Sequence, residues 1–465
     1  MQKSYADCAI HIVCIFGLTE EVFSQTHVSC HFSETPYMKK QLLLFIIFVI
    51  IQQNLVIGQQ TNKQPLIQAS IKLETDKIFD KLVQVRRGFH ENPELAGNEK
   101  QTQETIKKYL LDLGLQVKTD IYGYGIVGIL KGGKKGKRIA WRAEMDALPN
   151  NFPDKVNFKS KIKGVQHGCG HDVHMAIALG IATVLAKNKK SLRGTVYFIF
   201  QPEEETFIGA KNMIDSDLLS KINLNEIYGL HVTVLTVGQI MVKSNEVFAY
   251  QKKIRIKLKK ELSGERVNEL IKNIRSFLSR TSNDSKPWEL QNIVDPKIGL
   301  RNPNTIFKDF LIMDENFYSY FKNNEFFLEA YLNETDSSNL KKIIPKIKQL
   351  IESGNFKDQL ISVSFTQENP TVNNDKKLTD IAVKTLDNIY GQGFIVKDYG
   401  QVPFFNDDFA YFQQKVPGVY FLIGGSNIDK GIIAMNHAPN FEVDEECIRT
   451  GVSSFSNLIF ERLKN

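Results

Sequence analysis

Alternating strand and helix patterns run along most of this chain, and they constrain its fold more than any other feature. Apolar runs typical of buried strands, such as YGIVGIL, RIAWRAEMDAL, GTVYFIF and IYGLHV, alternate with helical segments such as QTQETIKKYLLDLGL and MAIALGIATVLAKNKK. Strands that alternate with helices favour a largely parallel sheet covered by helices, with functional side chains at the strand ends. The sequence therefore predicts an α/β fold, with a helical pattern from Thr75 to Leu113 and Asp172 as the N-cap of a buried helix.

A second pattern interrupts the first near residue 249. KKIRIKL, ERVNELIKNIRSFLSR, PWELQNIV, NEFFLEAYLN, SNLKKIIPKIKQLIESG and LISVSFT indicate the order β-α-β-β-α-β, which suits a small inserted α+β domain of the ferredoxin-like kind. The α/β pattern resumes at KKLTDIAVKTLDNIYG and closes with the strand GVYFLIGG and a C-terminal helix. We therefore predict one domain in two parts, 59–245 and 369–465, interrupted by a second domain at 246–368.

The stretch MKKQLLLFIIFVIIQQNLVIGQQ, which begins at Met38, has the pattern of a secretory signal peptide. Two lysines precede an apolar run from Leu42 to Ile51, which is short for a membrane span. We expect translation to begin at Met38, so that residues 1–37 are an over-extended start. Residues 38–58 would then be removed on export to the periplasm or the outside. An uncleaved N-terminal membrane anchor is the alternative.

The net charge of +7 does not indicate a nucleic-acid surface. The lysines are spread along the chain, as in KGGKKGKR and KKIRIKLKK, and no basic stretch is interleaved with stacking aromatic side chains. These lysines are typical of solvated faces and turns. We therefore expect no nucleic-acid partner.

The stretch GVQHGCGHDVHMA concentrates chemically versatile side chains around Cys169. Without residues 1–58 only Cys169 and Cys447 remain, which is too few for a disulfide scaffold, although a single bridge stays open. A redox site would favour a C-x-x-C motif, and a structural zinc site would need a second tight pair of ligands; both are missing. Cys169 and His171, two positions apart, offer a thiolate and an imidazole, a set suited to zinc, cobalt or nickel.

Three carboxylates in FQPEEETFIGA follow the strand GTVYFIF almost directly: Glu203, Glu204 and Glu205. Such a run is usually a solvated loop, but here it falls where a parallel sheet places its site. One glutamate can bind a metal ion while its neighbour acts as general base. His231 in IYGLHV and His437 in MNHAPNFEVDEE are further candidates, although a lone histidine after an apolar run is more often a core residue.

Seven motifs together resemble one family in order and spacing. They are RRGFHENPELAGNEKQT, WRAEMDALP, HGCGHDVHMA, LRGTVYFIFQPEEETFIGA, YGLHV, NDDFAYFQQKVPGVYFLIG and NHAPNFEVDEE. The family is the amidohydrolase branch of the clan MH metallopeptidases, with hippurate hydrolase, indole-acetyl-amino-acid hydrolase and N-acyl-amino-acid amidohydrolases. The resemblance runs from about Asp76 to the C-terminus, except for most of the insert. It implies a zinc-exopeptidase-like catalytic domain interrupted by an α+β lid domain.

The resemblance also implies a site with two divalent metal ions, zinc first and manganese or cobalt as alternatives. The residues that match the family's ligands are Cys169 as the bridging ligand, His171, Glu205, His231 and His437. Glu204 matches the general base, which would act on a metal-activated water to hydrolyse N-acyl amino acids or small peptide conjugates. His90, His167, His174, Asp172 and Asp146 match family positions without a ligand role. We expect these to support the site through hydrogen bonds, with plain packing as the alternative.

The lid departs from the family pattern. Its glycine-rich G-G-H loop is missing, and the chain has no histidine between His231 and His437. The family's N-V-I-P segment is matched only weakly, by NTIF at Asn304–Phe307. Where the family has a lid arginine, this chain has EAYLN, which contains no arginine. In addition, R-A-D-M-D has become RAEMD, with Glu144 in the aspartate position, and S-E-D-F has become NDDF.

These departures leave three interpretations. The first is a working metallo-amidohydrolase with an altered choice of substrate. The second is a catalytically weak relative that binds metal and a peptide-like ligand, and the third is a structural protein that uses the insert for association. The resemblance also implies a homodimer that forms through the lid.

Overall fold

The computed structural model describes residues 66–216 and 221–464. The predicted over-extended start at 1–37 and the predicted signal peptide at 38–58 lie outside these residues. Within the described part of the chain, no helix is long and apolar enough to cross a membrane.

The helices are α1 (66–91), α2 (Lys100–Asp112), α3 (His171–Lys187), α4 (Gly209–Asp215), α5 (Gly264–Leu278), α6 (Ser337–Ser353), α7 (Lys376–Tyr390), α8 (Phe409–Gln413) and α9 (Glu446–Arg462). The strands are β1 (Gln116–Lys118), β2 (Ile126–Lys131), β3 (Lys134–Glu144), β4 (Leu148–Pro149), β5 (Val165–Gln166), β6 (Arg193–Gln201), β7 (Glu226–Thr236), β8 (Ile240–Val242), β9 (Asn245–Glu246), β10 (Tyr250–Leu258), β11 (Arg280–Thr281), β12 (Phe310–Met313), β13 (Tyr318–Lys322), β14 (Glu325–Glu334), β15 (Leu360–Gln367), β16 (Asn373–Asn374), β17 (Ile395–Lys397) and β18 (Gly418–Ser426).

Eight strands form the larger sheet, in the order β1-β2-β6-β3-β7-β18-β8-β17. The central strands β6, β3, β7 and β18 run parallel to one another. Antiparallel pairs flank them, β1 with β2, β2 with β6, and β8 with β18. The prediction of a mixed, largely parallel sheet is therefore confirmed. Because the four central strands point the same way, their carboxyl ends lie along one edge of the sheet.

Helices cover both faces of the larger sheet. On one face, α3 is buried almost all round because its sequence is apolar on every side, and it packs with Ile177 against α9 and the strands around Trp141. On the other face, α4 and α8 pack together with the segment 282–309, which contributes Ile293 and Phe307 to the core. Each fully buried side chain of this size contributes about 1.5–3 kcal/mol to the stability of the fold.

The smaller sheet belongs to the inserted lid. Its strands follow the order β11-β12-β14-β10-β15, and β13 pairs with β14 as well. The amphipathic helices α5 and α6 bury their apolar stripes, represented by Ile274 and Ile347, against this sheet. The prediction of an α+β lid that interrupts an α/β domain is therefore confirmed.

Within the lid, the predicted strand PWELQNIV is wrong. Residues Leu290–Val294 of this stretch form a 3-10 helix, and β12 at Phe310–Met313 takes the place in the sheet. The apolar side chains of the stretch pack on the catalytic domain instead, where Ile293 is 4% exposed. Tertiary packing has therefore outweighed the strand propensity of the sequence.

Two helix boundaries also differ from the prediction. The helical pattern at 75–113 is interrupted at 92–99, where ENPELAGN contains an Asn-Pro pair that disfavours the α conformation. The N-cap of α3 is Gly170, not Asp172. Asp172 lies inside the first turn, where its carboxylate pairs with the Arg86 guanidinium at 2.7 Å and therefore serves an ion pair.

Candidate metal centre

Four segments of the catalytic domain bring the six predicted site residues together beside the carboxyl edge of the central strands. Cys169 and His171 stand at the start of α3, Glu204 and Glu205 directly after β6, His231 within β7, and His437 in the loop after β18. The site is thus assembled from segments that are far apart in sequence.

The donor atoms form three overlapping groups, one of them made by His171, Glu204 and Glu205, and the other two share Cys169. Those of Cys169, His171 and His231 lie within 4.8 Å of one another, and so do those of Cys169, Glu205 and His437. The Cys169 Sγ is 3.3 Å from His231 Nε2 and 3.0 Å from His437 Nε2. Because the sulfur belongs to two of the groups, the arrangement offers two adjacent cation positions that share one thiol.

Backbone carbonyls orient two of the histidine rings. His171 Nδ1 is 2.8 Å from the Asp146 carbonyl oxygen, and His231 Nδ1 is 2.8 Å from the Val232 carbonyl oxygen. A carbonyl oxygen can only accept, so each Nδ1 carries the proton and donates it. When the ring is neutral, each Nε2 has a lone pair directed at the donor groups, which is the tautomer that a metal ion requires. Burial would lower the pKa of His171, but the hydrogen bond to Asp146 and the charge on Glu144 raise it to about 10, so a cation would have to displace a proton from this ring.

The donor set fits a divalent cation. His171 Nε2 is buried and has no hydrogen-bond partner among the described residues, and the buried Glu205 Oε1 has the half-exposed His437 Nε2 nearby, at 3.3 Å. A buried polar atom with too few partners is costly, and cations at the two positions would satisfy both atoms. A thiolate combined with imidazoles and a carboxylate is a ligand set that zinc and its neighbours in the first transition row prefer.

Burial and charge shift the pKa values at this site strongly. Burial and the nearby Glu205 and Glu204 raise the pKa of the Cys169 thiol well above its usual value. Burial would also raise the pKa of Glu205, but a hydrogen bond from His437 and the charge on His171 lower it to about 2. The protein alone thus disfavours the thiolate beside these carboxylates, and a bound cation would favour it.

Two buried carboxylates hold the backbone of the glutamate run. Asp146 accepts hydrogen bonds from the backbone N–H groups of Glu204 and Glu205, at 3.1 and 3.0 Å. Glu99 accepts from the backbone N–H of Glu203 at 3.0 Å, and burial raises the pKa of Glu99 to about 7. Glu203 adopts a left-handed conformation with a φ of 57°. This turn directs the two following side chains into the site.

Gly170 sets the spacing between α3 and β7. Its φ of 92° lies in the left-handed region, which favours glycine. A Cβ atom at this position would lie 2.3 Å from the Val232 Cγ1 of β7. Only glycine therefore lets the start of α3, with Cys169 and His171, approach His231 so closely.

His437 is held in a strained turn. Its φ is 59°, which is uncommon for a residue with a side chain. The Asn436 Nδ2 donates to the Cys169 carbonyl oxygen at 2.9 Å, and the His437 N–H donates to the Gly168 carbonyl oxygen at 3.0 Å. These bonds tie the turn to the segment that carries the thiol and hold His437, whose side chain is half exposed, over the site.

His174 supports the site through both ring nitrogens. The backbone N–H of Val232 donates to its Nε2 at 2.9 Å, so its Nδ1 must carry the proton, which it donates to Glu144 at 2.9 Å. Burial and the charge on His171 lower the pKa of His174 well below its usual value. With both nitrogens engaged, His174 has no lone pair left for a cation.

The other predicted support residues differ among themselves. His90 Nδ1 is 2.9 Å from Asp172 Oδ2, in the buried ion pair of Asp172 with Arg86. Asp146 holds the glutamate run, as described above. By contrast, neither ring nitrogen of the buried His167 has a partner among the described residues, so plain packing describes it better than hydrogen bonding.

A buried charge cluster behind Glu204 was not predicted. The Arg142 guanidinium pairs with Asp408 at 2.7 Å, with Asp407 at 3.1 Å, and with Glu144. Carboxylate oxygens of Glu204, Asp407 and Asp408 lie within 4.8 Å of one another. One signal was present in the sequence, because an arginine inside a buried strand such as RIAWRAE requires a charged partner. The sequence did not show which carboxylates would supply it.

Comparison with known proteins agrees with this architecture. The model of peptidase family M20/M25/M40 matches residues 140–461. The chain is 30% identical to thermostable carboxypeptidase 2 of Saccharolobus solfataricus over 82% of this chain and 95% of the relative. It is 29% identical to IAA-amino acid hydrolase ILR1-like 4 of Arabidopsis thaliana over 82% of this chain and 85% of the relative.

Among solved structures, the YXEP protein of Bacillus subtilis, described as a dinuclear metal binding peptidase from the M20 family, shares the fold. The TM-score is 0.66 at 24% identity, and the match covers 84% of this chain and 99% of that one. The family match spans more than half of the chain, and the carboxypeptidase is similar over nearly its whole length. The chain therefore belongs to peptidase family M20/M25/M40 and is a metal-dependent hydrolase of amide bonds.

Proposed function

We propose that the protein hydrolyses the amide bond of N-acyl amino acids or small peptide conjugates. The observation that carries this proposal is the pair of donor groups that share Cys169, with the carboxylate of Glu204 beside them in one cavity. The names of the relatives add support, because "carboxypeptidase" and "IAA-amino acid hydrolase" both denote enzymes that hydrolyse a bond to an amino acid. Association of two chains through the lid stays a prediction.

The proposal includes two divalent cations, zinc first and manganese or cobalt as alternatives. Cys169, His171 and His231 would hold one ion, and Cys169, Glu205 and His437 the other. When bound, the ions would act as Lewis acids that polarise the scissile carbonyl and make water more acidic.

Glu204 is the proposed general base. Its Oε2 lies 3.7 Å from His171 Nε2, which places the carboxylate beside the donor groups without a direct hydrogen bond to that ring. Burial and the charge of Asp407 raise the pKa of Glu204 well above its usual value. A base with a raised pKa can take a proton from the attacking water and hold it until the leaving nitrogen accepts it. Asp146, which binds the backbone N–H of Glu204, keeps this carboxylate in place.

The substitution Glu204→Gln tests the assignment. It preserves size and hydrogen bonding but cannot take up a proton, so turnover should fall about 100- to 10,000-fold while the metal content is retained. Turnover is measured on a panel of N-acyl amino acids and dipeptides with zinc, manganese or cobalt, and metal content by atomic emission. Glu203→Gln is the matched control, because the Glu203 side chain accepts a hydrogen bond from Tyr122, at 3.2 Å, and has no place in the donor groups. Equal turnover of Glu204→Gln and wild type would show that the base is misassigned.

We also propose that the protein is exported. The support is the signal-peptide pattern from Met38, which is independent of the site chemistry. Mass spectrometry of the native protein should find an N-terminus near Gln59. Peptides from residues 1–37 in the native protein would contradict the proposed start at Met38.

A further inference from the structure

The donor groups open onto a cavity of about 540 Å³. This volume lies in the range that holds one small organic molecule, about 300–1,000 Å³. Its lining includes Cys169, His231 and His437 together with the two glutamates of the site. A substrate whose amide bond reaches these groups must therefore place part of its remaining surface in the rest of the cavity.

The rest of the cavity is mainly apolar. The catalytic domain contributes Phe248 and Leu422, and the segment 282–309 contributes Leu290, Ile293 and Leu300. The latter three reach the catalytic domain because the 3-10 helix at Leu290–Val294 packs there instead of joining the lid sheet. Part of the wall is thus built by a segment of the lid that lies outside the lid sheet.

Away from the donor groups, the side chains that line the cavity offer no positive charge that would hold a free carboxylate. Of the described residues that line it, none is a lysine or an arginine, and its charged members are the acidic Glu204 and Glu205. Two of its amide groups are already engaged: Asn406 Nδ2 donates to the Pro370 carbonyl oxygen and Asn436 Nδ2 to the Cys169 carbonyl oxygen, each at 2.9 Å. With the scissile amide at the donor groups, a carboxylate against the rest of this wall loses its water without gaining a lysine or arginine as partner, which is unfavourable.

We propose, on the basis of the amide hydrolysis argued above, that the preferred substrate is an apolar acyl conjugate without a free carboxylate. The chemical class comprises N-acyl amines and N-acyl amino acids whose carboxyl group is blocked as an amide. The apolar wall binds the hydrocarbon part, and the donor groups face the scissile amide. Free N-acyl amino acids are the disfavoured members of the same series.

A matched pair of substrates tests this inference. N-lauroyl-leucinamide and N-lauroyl-leucine both release lauric acid. They differ only at the leucine carboxyl group, which is a neutral amide in the first compound and a charged carboxylate in the second. The amide should show a kcat/KM higher by about tenfold or more, because the charged carboxylate would be buried without a partner. Equal values, or a preference for the free acid, would overturn the inference while the proposed function stands.

Gln251 permits the reverse experiment. Its side chain lines the cavity on β10, and Gln251→Arg would place a cation there. The preference should then shift towards the free acid by about tenfold, because the carboxylate gains a charged hydrogen-bond partner. Gln251→Met, which adds no charge, should keep the wild-type ratio. An unchanged ratio in Gln251→Arg would contradict the role of charge in this cavity.

Binding measurements keep the two proposals distinguishable. The zinc-loaded Glu204→Gln protein is titrated with each compound by calorimetry, which requires no turnover. Tighter binding of the amide supports the inference even if wild-type turnover is absent, and absent turnover of every conjugate would overturn the proposed function alone. Equal or tighter binding of the acid overturns the inference whatever the activity.

Discussion

At the scale of single residues, Arg142 joins two carboxylates whose lengths depart from the family pattern in opposite directions. Glu144 replaces the aspartate of R-A-D-M-D and is one methylene longer, whereas Asp407 replaces the glutamate of S-E-D-F and is one methylene shorter. Both contact the same guanidinium, and the cluster is fully buried. The two departures therefore compensate each other in length across one arginine.

This compensation predicts a strongly non-additive pair of substitutions. Glu144→Asp alone shortens a buried side chain and leaves a gap beside Arg142, and Asp407→Glu alone adds a methylene group to a filled space. Each should therefore destabilise the protein by about 1–3 kcal/mol. The double variant restores the total length and should be more stable than the sum of the single effects, with a coupling of about 0.5–3 kcal/mol. Urea unfolding of the wild type and the three variants measures this. Simple additivity would show that the lengths are not coupled through Arg142.

The residue types of the site could be predicted, but their hydrogen-bonding partners could not. Cys169 and His171 stand out as a thiol and an imidazole two positions apart, and the glutamate run stands out only because it directly follows a buried strand of a parallel sheet. Glu99 did not stand out, although it holds the backbone of Glu203, because a single glutamate before an amphipathic helix also suits a solvent-exposed position. Its partner is more than 100 residues away in sequence, and only the fold brings the two together.

At the scale of elements, periodicity predicts those helices and strands whose burial is regular. The helix α3 and the strands β6, β7 and β18 follow long apolar runs, and the structure has them close to the predicted positions. The prediction of a strand at PWELQNIV is wrong because the apolar side chains of this segment pack outside the lid sheet. They cover the opposite face of the larger sheet and the cavity wall, and no local pattern distinguishes that contact from pairing in a sheet.

The start of α3 shows the same limit at a helix boundary. An aspartate before an apolar helical run is a good N-cap in general, so the sequence favoured Asp172. The structure places Gly170 there because β7 approaches to within van der Waals distance of the backbone, and Asp172 is used to bind Arg86. The requirement for glycine comes from Val232 on another element, and it cannot be derived from the helix alone.

At the scale of the whole molecule, residues 398–404 join the resumed catalytic domain to the lid. The Tyr399 N–H donates to the Leu300 carbonyl oxygen at 2.9 Å, and the Gln401 N–H donates to the Phe307 carbonyl oxygen at 2.8 Å. Further along, the Phe404 N–H donates to the Asn333 side chain. The wall of the cavity is therefore held in place by a segment that begins with a buried acid, Asp398.

Asp398 makes the stability of this contact between the catalytic domain and the lid depend on pH. It is 3% exposed, and burial raises its pKa to about 7, although Lys243 and the Gly400 N–H oppose the shift. Below the ordinary pKa of an aspartate, near 3.8, the folded and unfolded chains are both protonated. As the pH rises from there towards 7, the unfolded chain releases the proton first, so the stabilising contribution is lost and the free energy of unfolding falls.

Replacing Asp398 by asparagine should remove this contribution while keeping an oxygen that accepts the Gly400 N–H. We expect Asp398→Asn to gain stability relative to the wild type as the pH rises from 5 to 8. Urea unfolding at both pH values measures the difference, and Asp380→Asn on α7 is the matched control for the loss of an exposed carboxylate. A difference between Asp398→Asn and wild type that does not change with pH would mean that Asp398 is ionised in the folded protein throughout this range. In that case attraction between an ionised Asp398 and the nearby charge of Lys243, and not a neutral buried acid, would stabilise the contact between the two domains.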